Sequence, residues 1–147
     1  MPRSITSDVW AADNAWAMCT FGAMIPGDEA SVDVLAKKIA EYAKAALNGR
    51  LALFVSFIQQ VSPDCDCWGM NLPPVALDLG ILASTNPVAI DQAAMDLVLK
   101  AVEHDPSLRA HPQASWEEQL AHAERIGLGS RRYELYPILT GLDRRSS

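Results

Sequence analysis

Apolar and polar positions follow a helical spacing from Asp28 onward. Leu35, Ile39, Tyr42 and Ala46 recur at steps of four, three and four, which makes one stripe of a helix. Lys37, Lys38, Glu41 and Lys44 fall mostly off that stripe, and Asn48-Gly49 reads as the stop. "LALFVSFI" (51–58) follows at once; it is short, apolar throughout, and contains Val, Ile and two Phe. That pattern predicts a strand buried on both faces. "ALDLGILAS" (76–84) predicts a second strand with Asp78 inside it. "TNPVAIDQAAMDLVLKAV" predicts a helix capped by Asn86, with Pro87 at its first position. In "SWEEQLAHAERIGLG", Ser115 and Glu118 form a capping-box pattern, and Gly127 and Gly129 end the helix. "YELYPIL" (133–139) predicts a short edge strand, because Pro137 excludes a central one.

The predicted order is helix, strand, long loop, strand, helix, helix, strand. It implies an α/β fold with a small, mostly parallel sheet of about three strands packed with about three helices. Two strands that look buried on both sides need more cover than these helices supply. The unit is therefore expected to be part of a larger α/β unit or to pair with another chain. Residues 1–27 show no clear periodicity and form an irregular segment holding Trp10, Trp16, Cys19 and Phe21. Residues 28–140 make the α/β domain, and 141–147 a tail.

Composition narrows the partners. The chain has 147 residues, enough for one domain with a real core. Its formal net charge of −6 argues against binding to nucleic acid, which needs a basic surface. No apolar run reaches the length of a membrane span. Three cysteines are too few for a disulfide scaffold, and one residue between Cys65 and Cys67 would close a strained ring. "AWAMCTFGAMI" (15–25) has the apolar character of a signal peptide, but Asp8 and Asp13 precede it where a basic cluster belongs. A reducing, cytoplasmic setting is the expectation.

Candidate chemistry concentrates in "SPDCDCWGMNLPP" (62–74). Thiolates one residue apart, Cys65 and Cys67, can both reach a soft metal or the irons of one cluster. Asp64 and Asp66 beside them add hard ligands, yet their charge also raises a thiol pKa and argues against an activated nucleophile. A structural zinc or a cubane cluster needs four ligands, and Cys19 is the one further cysteine. A metal or cluster site, a redox thiol and a structural turn all remain open for this loop. Asp91 shares a helical row with Val88, Met95, Val98 and Val102, so its carboxylate is either buried and paired or faces a site. Asp96 lies four residues before Lys100, which suits an exposed ion pair. If the two strands are parallel, the cysteine loop and "STN" (84–86) meet at one end of the sheet. His104, His111 and His122 show no paired ligand spacing.

Three segments together carry a resemblance. "SPDCDCWGMNLPPVALDLGILASTNPVAIDQAAMDLV" (62–98), "KKIAEYAKAAL" (37–47) and "WEEQLAHAERIGLGSRRYEL" (116–135) resemble the C-terminal segment of domain-of-unknown-function family 362, whose members are often labelled iron–sulfur centre proteins. The resemblance implies iron–sulfur binding and a role in electron transfer. It points to Cys65 and Cys67, their neighbours Asp64 and Asp66, and Asp91. "AMCTFGAM" (17–24) resembles the worn end of a ferredoxin motif, with Cys19 as its remaining cysteine and Thr20 where proline is expected. Asn86 stands where the family usually has an acid. The family's long N-terminal region has no counterpart, which implies a fragment, a shortened homologue or one subunit of a split protein. The expected function is thus an iron–sulfur or metal-binding protein whose partner, a second chain or another copy, supplies the missing ligands. The alternatives are a non-catalytic assembly subunit, and an enzyme with Asp91 as acid/base or metal ligand beside Cys65 and Cys67.

Overall fold

The computed structural model describes residues 32–62, 73–102 and 116–138. In chain order these form α1 (Val32–Leu47), β1 (Phe54–Ile58), β2 (Gly80–Ser84), α2 (Pro87–Ala101) and α3 (Trp116–Arg125). Cys19, Asp64, Cys65, Asp66 and Cys67 lie outside the described residues, as do Ser115, His104 and His111.

α2 is the centre. Every residue from Pro87 to Met95 is buried, which is what a helix apolar on most sides requires. Val88 and Met95 pack with Ala40 of α1 and with Trp116, Leu120 and Ala123 of α3. Ala94 and Val98 pack instead on the sheet, against Ile58, Leu79 and Leu82. The row Val88, Met95 and Val98 is buried as its spacing predicts, with Val102 half-buried.

α1 and α3 run side by side in the same direction. Lys37 Nζ pairs with Glu118 Oε1 at 3.2 Å, His122 Nε2 meets Glu41 Oε1 at 2.9 Å, and Lys44 Nζ donates to the Ile126 carbonyl. These pairs advance by about one turn on each helix, which fixes the register. Leu35 and Ile39 are buried as the stripe predicts, but Ala36 and Ala40 complete the buried face. Tyr42 is 42% exposed and Ala46 is exposed, because the last turn of α1 runs past the core. Small alanines at 36 and 40 keep that face flat enough for close helix contact. The predicted stop is present: Asn48 and Gly49 take φ of 44° and 70°, and Asn48 N–H bonds the Lys44 carbonyl at 3.0 Å.

The sheet departs from expectation. Among the described residues it has two strands, and they are antiparallel, with Phe54 opposite Ser84 and Ile58 opposite Gly80. The long connection permitted a parallel crossover. Instead its ends continue the ladder: Leu79 N–H bonds the Ile58 carbonyl at 2.8 Å, and Val75 N–H bonds the Val61 carbonyl at 2.7 Å. Residues 133–138 form no strand; their polar side chains bond elsewhere. The strands are also not buried on both faces. Ser56, Ile58 and Leu82 point toward α2, while Val55, Phe57, Ile81 and Ala83 face outward with no cover among the described residues. Exposure of 50% at Val55, 57% at Phe57 and 63% at Ile81 is high for an apolar sheet face. No helix among the described residues is long and apolar enough to cross a membrane.

Candidate functional site

The antiparallel register decides at which end of the hairpin the chain enters and leaves the connection 63–72. Residues 63–72 leave and re-enter the described chain at the Ile58–Gly80 end of the hairpin. Asp78 braces that stem, accepting from Gln60 N–H at 3.0 Å while Gln60 takes a φ of 51°. Asp78 therefore satisfies a loop backbone group. Ser84, Thr85 and the start of α2 lie at the opposite end. The expectation that the loop attachment and "STN" share one end of the sheet fails, because it required parallel strands. Strands of five residues separate the two ends by roughly 13–17 Å.

At that opposite end, two segments distant in sequence lock together through Asn86. Its Oδ1 accepts from Val88 N–H at 3.1 Å and Ala89 N–H at 3.2 Å, capping α2 as expected. The same oxygen accepts from Ser130 N–H at 3.3 Å, and Nδ2 donates to the Ser130 carbonyl at 3.1 Å. An acid at this position has no hydrogen to give that carbonyl. The chain reaches Asn86 because α3 ends in a Schellman motif. Gly127, at φ 75°, bonds back to the Glu124 carbonyl, and Leu128 N–H bonds the Ala123 carbonyl at 2.9 Å. Gly129 then passes so close that a Cβ would overlap Asn86 Oδ1 and stand 3.0 Å from Val88 Cγ2.

Asp91 lies one turn into α2 and is 3% exposed. Its Oδ2 is buried without a hydrogen-bond partner among the described residues. Burial penalises the charged form and pushes its pKa up to about 7. The row position predicted burial correctly, whereas the pairing expected for a structural carboxylate is missing at that oxygen. A carboxyl that titrates near neutrality in a dry setting suits proton transfer or capture of a cation.

A polar cleft lies on the other side of α2, and the sequence reading did not single it out. Gln92 Nε2 donates to Asp96 Oδ1 at 2.9 Å, and Tyr133 O–H donates to Asp96 Oδ2 at 2.6 Å. Asp96 thus serves Gln92 and Tyr133 rather than Lys100. The bond to Asp96 pushes the Tyr133 phenol up to about 12, so it stays a neutral donor. Arg131 Nε donates to Gln92 Oε1 at 2.7 Å. Glu124 accepts from Arg131 N–H at 2.9 Å and Ser130 Oγ at 3.1 Å, bonds that hold its pKa below the usual carboxylate value. The available signal was "GLGSRRYEL", the stretch that supplies most of these groups.

The sequence matches the profile of a family described as "Domain of unknown function (DUF362)" over residues 9–96, well over half of the chain. The chain belongs to DUF362. Comparisons with curated proteins and with solved structures returned no match. The DUF362 match includes Cys19, the cysteine loop, the hairpin and α2 as far as Asp96. The segment 116–135, which carries α3 and the cleft arginines, lies beyond it.

The described residues of the DUF362 chain hold no complete donor set for a metal. Among the described residues no group of three or more His, Cys, Asp or Glu side chains converges. The loop supplies two thiolates in sequence, half of what a tetrahedral or cubane site needs. Cys65 and Cys67 alone do not fill a four-ligand site.

Proposed function

We propose that this DUF362 chain is one component of a larger assembly, which covers its sheet and completes a metal or iron–sulfur site begun by Cys65 and Cys67. The observation that carries the reading is the outer face of the hairpin, which no described residue covers: Val55, Phe57 and Ile81, extended by Leu53 at 69% exposure. Contiguous apolar surface of this kind marks an interaction site. Covering it would contribute about 1.5–3 kcal/mol for each fully buried side chain. Both edges of the two-stranded sheet also lack a neighbour among the described residues, so a further strand can add by backbone pairing.

Metal binding rests on the donor chemistry of the loop and on the family resemblance. Two thiolates flanked by Asp64 and Asp66 form half a site, and the partner that covers the sheet would contribute the remainder. The test is to isolate the protein with its partners under anaerobic conditions and measure iron, zinc and acid-labile sulfide. Metal should co-purify with the assembly and fall away in the Cys65→Ser/Cys67→Ser double variant. Phe57→Lys should release the partner and lose the metal with it. An assembly whose metal content ignores both changes would overturn the reading.

A further inference from the structure

The cleft beside α2 has an unusual charge arrangement. Its two acids are satisfied by neutral donors: Asp96 by Gln92 and Tyr133, Glu124 by Ser130 and a backbone N–H. No carboxylate stands within 4 Å of the Arg131 or Arg132 guanidinium among the described residues. Both arginines lie near enough to Glu124 to help lower its pKa, yet neither closes on it as an ion pair. Arg131 is also held in position. Its Nε is tied at 2.7 Å to Gln92, which is buried and itself anchored on Asp96. The terminal nitrogens of that guanidinium make no hydrogen bond among the described residues.

We propose that this cleft binds a small phosphate-bearing molecule through Arg131 and Arg132. The cleft is broad and open to solvent, with about 790 Å³ of space beside the two arginines. Two guanidinium forks offer more donors than one planar carboxylate can accept, whereas a phosphate group presents three or four oxygens and can take a bidentate pair from each side. A polynucleotide is disfavoured by the net charge of −6. Gln92 positions Arg131, and the Asn86–Ser130 clamp fixes the backbone from which both arginines project. The inference does not depend on how the sheet face is covered.

The experiment is calorimetric titration of the full chain with inorganic pyrophosphate. Wild type should show saturable binding at one site. Arg132→Gln, whose side chain makes no hydrogen bond among the described residues, should weaken it about tenfold, and Arg131→Gln/Arg132→Gln should remove it. Arg50→Gln makes the same charge change on an exposed loop and should leave the affinity unchanged. If Arg131→Gln perturbs folding by circular dichroism, the Arg132→Gln and Arg50→Gln pair still decides the matter. Absence of saturable binding at millimolar pyrophosphate, or equal weakening by Arg132→Gln and Arg50→Gln, overturns the proposal.

Discussion

Asp91→Asn should stabilise this protein at alkaline pH and leave it nearly unchanged in acid. The side chain is 3% exposed, and Asn matches it in size. In the unfolded chain Asp91 ionises near 3.8, whereas in the folded chain it keeps its proton until about pH 7. Between those values folding takes up a proton, so stability falls as pH rises through the window and levels off above it. A displacement of about three pH units corresponds to about 4 kcal/mol. Asn carries no such titration. The two proteins should therefore have similar stability near pH 4, and the variant should lead by about 4 kcal/mol near pH 8. Urea unfolding at matched protein concentration across pH 4–8 measures the difference, and titrations shared by both proteins cancel. A difference that stays constant with pH would refute the reasoning. So would a variant less stable than wild type at pH 8, since that means the ionised carboxylate has found a partner.

Three further substitutions probe how the motifs lock together. Gly129→Ala drives a Cβ into Asn86 Oδ1 and should cost about 2 kcal/mol, seen as a lower Tm. Asn86→Ala loses both the cap and the clamp on Ser130 and should cost about 2 kcal/mol by urea denaturation, whereas Asn86→Asp keeps the cap and should cost about half as much. Leu120→Ala empties a position that is 1% exposed between α1, α2 and α3, and should cost about 3 kcal/mol in the same assay.

The helices were legible because their signals are local. Periodicity placed α1, Asn86-Pro87 marked the start of α2, and Gly127 marked the end of α3. Each such signal is a hydrogen-bonding or steric requirement met within a few residues. The direction of β2 was not legible. An apolar run of that length suits a parallel strand under helices or an antiparallel strand awaiting a partner, and only the Val75–Val61 and Leu79–Ile58 bonds decide between them. The same ambiguity explains why the attachment of the cysteine loop was expected at the α2 end of the sheet. The clamp and the cleft were hidden for another reason. Asn86 to Ser130 and Gln92 to Arg131 are tertiary pairs about forty residues apart, and no spacing rule reaches that far. Asp91 was legible in part: its row predicted burial, but its missing partner is a property of the packed core.

The most direct test of the assembly reading is the mass of the chain in solution, by light scattering coupled to size exclusion, with and without Phe57→Lys. A face bearing Val55, Phe57 and Ile81, uncovered by the described residues, predicts that the isolated chain associates well beyond its 16.0 kDa, and that one lysine on that face returns it to monomer. A monodisperse 16.0 kDa species that melts cooperatively and is indifferent to Phe57→Lys would contradict the account.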